Sequence, residues 1–205
     1  MKFPRDSAAI RSLAPAQAGV FSIRDLQSVL GEKHKAGLVR RIQTLEREGV
    51  LERFIRGWYV TPGSFDLPTL SQRIAPESYV SFGQVLAQAL VVGPVPGPVP
   101  EKEVWAAKPG RSRTYCGAAC RVLHLGIDSR LSFGFEERGA VCWATPEKAL
   151  LDVLYFHQRR RRFSFDIYSD LHLAELNRNR LSEYLSRYRN PRFTAFVRGV
   201  LDAAA

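Results

Sequence analysis

Seven side chains between Lys33 and Arg56 carry the most readily named chemistry in this sequence. Lys33, Lys35, Arg40 and Arg41 are cations, Thr44 is a hydroxyl, and Arg53 and Arg56 follow on a later segment. Side chains of these types meet nucleic acid in two ways. A guanidinium or hydroxyl on a helix can hydrogen-bond base edges in a major groove, whereas cations beside it hold phosphates and set the register without reading sequence. Lys33, Gly37, Arg40, Arg41 and Thr44 fall on one side of a helical projection, with Gly37 as the small residue that permits close approach. All seven are therefore expected to contact duplex DNA. A solvated charged face, or a protein-binding role for the same module, is the plainer alternative.

Two further clusters have the same chemistry with less geometry behind it. Arg111 and Arg113 lie in a Pro-Gly-Arg-Ser-Arg turn, and Arg159, Arg160, Arg161 and Arg162 are consecutive. Either could hold phosphates or an acidic partner, against a default of solvated charge. Catalysis finds little support. His34, His124, His157 and His172 are scattered, and Cys116, Cys120 and Cys142 lack the paired spacing of a metal site. Neither a G-x-S-x-G elbow nor a phosphate-binding P-loop occurs. Glu147 and Lys148 are adjacent, which suits a helix start better than a nuclease E-x-K fragment. No catalytic residue, metal ligand or cofactor is expected.

The elements that must position the seven residues read as a winged helix-turn-helix. Ser22 and Asp25 form an S-x-x-D capping box, after which Ile23, Leu26, Val29 and Leu30 recur at helical spacing and Gly31 stops the helix. A second helix should run from about Lys35 to Glu48, with Leu38, Val39, Ile42 and Leu45 inward and Gly49 closing it. Short β-prone runs at Val50 to Phe54 and Trp58 to Thr61 then flank Ile55, Arg56 and Gly57, and this hairpin is the wing. Upstream, a scaffold helix starts near Asp6 or Ser7, with Ala9, Ile10 and Leu13 packing inward.

Pro62, Gly63 and Pro68 break the pattern, and residues 66–75 form a connector with some helical character. The expected division is a winged helix-turn-helix domain over 1–67 and a C-terminal α+β domain over 68–205. In the latter, a helix starts near Ser81 with Val85, Leu86, Ala89 and Leu90 on one face. It is broken by GPVPGPVP at 93–100, where proline removes backbone donors and fixes φ. Short β-prone runs follow at Val104 to Ala107, Thr114 to Cys116, Arg121 to Leu125, Leu131 to Phe135 and Ala140 to Trp143. They predict a small antiparallel sheet. Thr145, Pro146 and Glu147 then make a strong helix start, with Ala149, Leu150, Val153 and Leu154 at packing spacing and Lys148 able to pair with Asp152. Two more amphipathic helices follow, one through Leu181, Tyr184, Leu185 and Tyr188, the other through Phe193, Phe196, Val197, Val200 and Leu201.

The 205-residue chain has 45% hydrophobic residues and a net charge of +10, enough for a packed core and suited to a polyanionic partner. Residues 1–65 hold 11 basic and 6 acidic side chains and the remainder 19 and 14, so each part carries +5 and the shorter one has the higher charge density. An odd cysteine count and a start without a hydrophobic signal favour a reducing cytoplasm. No apolar run approaches the ~20 residues of a membrane span, so no membrane partner is expected.

The chain resembles the antitoxin half of the AbiE-type abortive-infection systems, described as transcriptional regulators of viral defence. The resemblance covers most of the length. It rests on the winged helix ending in Arg56-Gly57-Trp58-Tyr59-Val60, on Tyr79-Val80-Ser81, on the turn at 109–113, and above all on Ala144-Thr145-Pro146-Glu147-Lys148-Ala149-Leu150-Leu151-Asp152-Val153-Leu154-Tyr155. That last string is similar to the family's A-[ST]-P-E-K-A-L-L-D motif without departure, whereas GPVPGPVP departs from the plainer link of many relatives. The resemblance implies a repressor that binds its own operator as double-stranded DNA, and a C-terminal domain that counters a nucleotidyltransferase-like toxin of a phage-defence toxin-antitoxin pair. A regulator whose C-terminal domain senses a small molecule is the alternative.

Overall fold

The structure, a computed structural model, describes residues 4–93 and 102–203, so the prolines of GPVPGPVP lie outside the described residues. The fold is α+β, an N-terminal winged helix followed by a C-terminal sheet packed on helices. It divides into two compact units, Met1–Leu70 with Tyr115–Arg121, and Ser71–Thr114 with Val122–Ala205.

The first unit runs α1 (Pro4–Leu13), β1 (Val20–Ser22), α2 (Ile23–Leu30), α3 (Lys35–Arg47), β2 (Glu52–Ile55) and β3 (Trp58–Val60). The capping box forms as expected, Asp25 N–H donating to Ser22 Oγ at 3.2 Å and Ser22 N–H to Asp25 Oδ2 at 2.7 Å. Gly31 ends α2 at φ 61°. The strands order β1-β3-β2, all antiparallel, with Gly57 at φ 86° in the wing turn and a bulge between Arg53 and Ile55. Strand β1 has no period of its own to announce it. It exists because Phe21 pairs with Tyr59 and both join a core with Ile10, Leu26, Leu38, Ile42 and Leu45. Leading into it, Gly19 sits at φ 69°, where a Cβ would strike the Ser64 carbonyl and the Thr61 hydroxyl. Only glycine fits there.

Helix α4 (Leu67–Ile74) starts with Asp66 accepting from Thr69 N–H at 2.7 Å. Next come β4 (Tyr79–Val80), α5 (Gly83–Gln88), β5 (Glu103–Pro109), β6 (Arg113–Gly117), β7 (Cys120–Ile127), β8 (Phe135–Arg138), β9 (Val141–Ala144), α6 (Pro146–Gln158), α7 (Arg178–Ser186) and α8 (Pro191–Ala203). The sheet has six strands in the order β6-β7-β5-β4-β9-β8, and β4 lies parallel to β9. It is thus larger than the small sheet expected, and mixed. The strand expected over Leu131 to Phe135 is not formed there: a 3-10 turn spans Ser129–Leu131 and β8 begins only at Phe135. Helix α5 is also shorter than its pattern, because Leu90 has left the helix at φ 58° and is 70% exposed. Phe82 is the N-cap residue of α5, and the Ser81 hydroxyl donates to Asp152 at 2.8 Å.

Helix α6 is the hub of this unit, packing on α5, α7, α8 and β9. Its start is as the residue types dictate, with Pro146 in the first turn and Thr145 Oγ1 accepting from Lys148 N–H at 3.3 Å. From Glu147 to Leu154 every side chain is buried, so α6 is enclosed on all sides rather than amphipathic. Among the described residues no helix is long and apolar enough to cross a membrane.

Candidate nucleic-acid interface

Helix α3 carries the outward face on which a groove contact would depend. Its exposed residues are Lys35, Ala36, Val39, Arg40, Gln43 and Arg47, which fall on one side of the helix. Lys35 and Arg40 form no ion pair among the described residues, and Glu46, half-buried, is the carboxylate of α3 that falls on the same side of the helix. Arg47 folds along it, donating to Thr44 Oγ1 at 2.9 Å and to the Gln43 carbonyl at 3.3 Å.

This face is turned by one residue, roughly 100° of helix, from the one the sequence suggested. Arg41 is the main correction. Its guanidinium points inward and grips Asp6 of α1 through Nε at 2.7 Å and Nη2 at 2.5 Å, and its Nη1 donates to the Leu30 carbonyl at 2.7 Å. With Glu32 also 3.8 Å away, Arg41 ties the end of α2 to α1 and α3. The Asp6 bond raises the Arg41 pKa above its ordinary value, the Asp6 and Glu32 charges adding to it against the desolvation of burial. Thr44 is the second correction, being 8% exposed and bonded back to the Arg40 carbonyl at 3.1 Å. Gly37 faces the Glu32 carboxylate rather than open space. Conversely Val39, expected in the core, is 39% exposed. Ala36 is therefore the small residue on the outer face, and Gln43 and Arg47 are residues that the sequence pattern did not single out. The signal was present, since Ala36, Val39, Gln43 and Arg47 share a stripe with Arg40, but an inward arginine is invisible to a hydrophobic pattern.

Beside α3, Lys33 is exposed in the turn after α2, and Arg53 and Arg56 are exposed on β2 and at the wing turn. The first unit thus brings Lys33, Lys35, Arg40, Arg53 and Arg56 to its surface and withdraws Arg41 and Thr44. Cationic side chains of this kind could meet phosphates, and the α3 stripe holds donor and methyl groups of the types that suit base edges.

The remaining sequence candidates do not form one site. Arg111 and Arg113 are exposed, in a turn pinned by Gly110 N–H on the Ile127 carbonyl at 3.1 Å and Gly126 N–H on Ser112 Oγ at 2.8 Å. The arginine run is split, for Arg159 stacks 3.5 Å from the Tyr155 ring and Arg161 lies 4.6 Å from the Trp105 ring. Arg160 and Arg162 are exposed.

The expected pairing of Lys148 with Asp152 forms, but within a buried polar knot that the sequence pattern did not show. Lys148 is fully buried and ion-paired with Asp152, and its Nζ lies 3.3 Å from Tyr188 Oη and 5.1 Å from the Phe133 ring centroid. Asp152 also accepts from Tyr79 Oη at 3.1 Å and from Ser81. Burial holds the Lys148 pKa below its usual value against the pull of Asp152, and pushes the Tyr79 and Tyr188 phenols well above theirs, with the Asp152 charge adding to both. Glu147, buried too, accepts Asn177 N–H at 2.9 Å and so fastens the chain ahead of α7. Among the described residues no cluster of histidine, cysteine and carboxylate side chains could hold a metal ion.

No family model matches this chain, and no curated protein matches it. Among solved structures it is similar to the RV2827C protein from Mycobacterium tuberculosis, at 16% sequence identity and a TM-score of 0.64, covering 100% of this chain and 78% of that one. At that identity the likeness bears on the fold alone.

Proposed function

We propose that this chain is a DNA-binding autoregulator that recognises the duplex upstream of its own gene and serves as the antitoxin of an AbiE-type pair in the cytoplasm, acting by binding rather than catalysis. The observation that carries the first part is the exposed α3 stripe, which combines Arg40 and Gln43 with Ala36 and Val39, flanked by Lys33, Lys35, Arg53 and Arg56. Arginine suits guanine, glutamine suits adenine, and the apolar side chains suit the thymine methyl group. Wing and turn cations take phosphates. The antitoxin part, with a nucleotidyltransferase-like toxin as partner, rests on the resemblance of the 144–155 string. Because Glu147, Lys148 and Asp152 are buried, they would support the surface that meets the toxin rather than touch it.

Fluorescence anisotropy with the upstream duplex and a scrambled duplex of equal length, across a salt series, tests the reading. Expected are a preference of about 10³ or more at physiological salt and a log-log salt slope near −5 if about six phosphates are neutralised. Equal affinity for the two duplexes would overturn it.

A further inference from the structure

The second unit holds a cleft of about 550 Å³ between the 3-10 turn at Ser129–Leu131, the end of α6 and the junction of α7 with α8. Arg130, Arg159, Arg187 and Arg189 line it, against a single lining carboxylate, Asp128. Asp128 holds Arg130 at 2.7 Å, and Glu183 stands 3.4 Å from Arg187. Arg159 and Arg189 have no acidic partner among the described residues. Four guanidinium groups around one hollow, against two acids, give it a positive field that favours an anion. Beneath the arginines lie Tyr155, which is half-buried, and Tyr188 and Phe193, which are buried. Arg159 is already ordered there, stacked on Tyr155 and donating to the Tyr155 carbonyl at 3.0 Å, and Arg187 is ordered over the Phe133 ring at 4.6 Å. Ordered guanidinium groups lose little entropy on meeting phosphate oxygens and present planar faces to a ring.

We propose that this cleft binds a nucleotide polyphosphate, its phosphates on Arg130, Arg187 and Arg189 and its base stacked on the exposed guanidinium plane of Arg159, which Tyr155 backs. The volume lies within the ~300–1,000 Å³ of small-ligand sites. A lone phosphate would leave the Arg159 plane unstacked, and a purely apolar ligand would leave the arginines unneutralised. The assignment is independent of operator binding by the first unit.

Isothermal titration calorimetry of the full chain with ATP, tripolyphosphate, adenosine and a short single-stranded oligonucleotide at constant ionic strength tests it. ATP should bind with a Kd of about 100 μM or tighter, and tripolyphosphate and adenosine each about tenfold or more weaker. Arg159→Ala with Arg189→Ala, both exposed, should weaken ATP at least about tenfold, whereas a charge-matched control on α1, Arg5→Ala with Arg11→Ala, should not. No heat with ATP at millimolar concentration overturns the proposal, as does equal loss in the control. Tripolyphosphate binding as tightly as ATP overturns the nucleotide assignment, and saturable binding of the oligonucleotide without ATP binding reassigns the cleft to nucleic acid.

Discussion

Arg41 shows how one side chain can carry the right chemistry and serve a different end. Its bonds to Asp6 and to the Leu30 carbonyl satisfy a nearly buried carboxylate and one of the last carbonyls of α2. Arg41→Ala should therefore destabilise the first unit by about 1–3 kcal/mol, seen as a lower urea midpoint. A variant as stable as the parent would refute the structural role. The Lys148–Asp152 pair makes a sharper case, because neither group has water to fall back on. Lys148→Met leaves the Asp152 charge buried and should cost about 3–5 kcal/mol. Adding Asp152→Asn removes that charge while keeping an acceptor for Tyr79 and Ser81, so the double variant should lose less than the sum of the single losses. A double-mutant cycle reads the difference, and strict additivity would mean the pair is not coupled.

At the scale of the element, α3 is the helix whose orientation decides the interface. Because Arg40 and Gln43 are exposed and Arg41 is held inward, substitutions one residue apart should separate binding from folding. Arg40→Ala with Gln43→Ala should leave the melting temperature nearly unchanged and weaken the upstream duplex by about 2–6 kcal/mol, with relaxed discrimination against scrambled sequence. Anisotropy on both duplexes checks this. Undiminished preference in that variant would move the recognition surface off α3. The wing makes a different prediction by kind, since Arg53 and Arg56 hold no position on the α3 stripe. Removing them should lower affinity evenly across sequences and flatten the salt slope by about two.

The whole molecule adds a pH dependence through His124. The imidazole is buried and its Nε2 lies 2.9 Å from Ser71 Oγ. Burial, helped by the Lys108 charge and opposed by Glu77 and the Ser71 bond, lowers its pKa from the ordinary 6.5 to about 4. The unfolded chain therefore takes up this proton more readily than the folded one. Its contribution to stability is fully present above about pH 6.5 and is lost as the pH falls towards 4, by at most about 3 kcal/mol. Urea unfolding of the full chain at pH 7, 5 and 4 should show this loss, and His124→Gln should flatten that part of the profile. An unchanged profile in the variant would assign the acid sensitivity elsewhere.

Local features were legible in the sequence because local physics makes them. The Ser22–Asp25 capping box, the Gly31 stop, the Gly57 turn and the Thr145-Pro146 helix start each depend on neighbours within a few residues, and each forms as expected. So did the α+β class and the order of helices and wing, which hydrophobic period and turn chemistry report directly. Tertiary structure alone decided which way α3 is rolled, since that depends on Asp6 lying 35 residues upstream of Arg41. It also decided the parallel pairing of β4 with β9, two short strands that are neighbours in the sheet but have four other strands between them in sequence. The roles of Lys148 and Asp152 were half legible. Helical spacing placed them one turn apart, but only the closing of Tyr79, Phe133 and Tyr188 over them turned a surface pair into a buried one. A side chain's type and local spacing are written in the chain; its burial and partners come from residues far away in sequence, and these separate a groove contact from a strut.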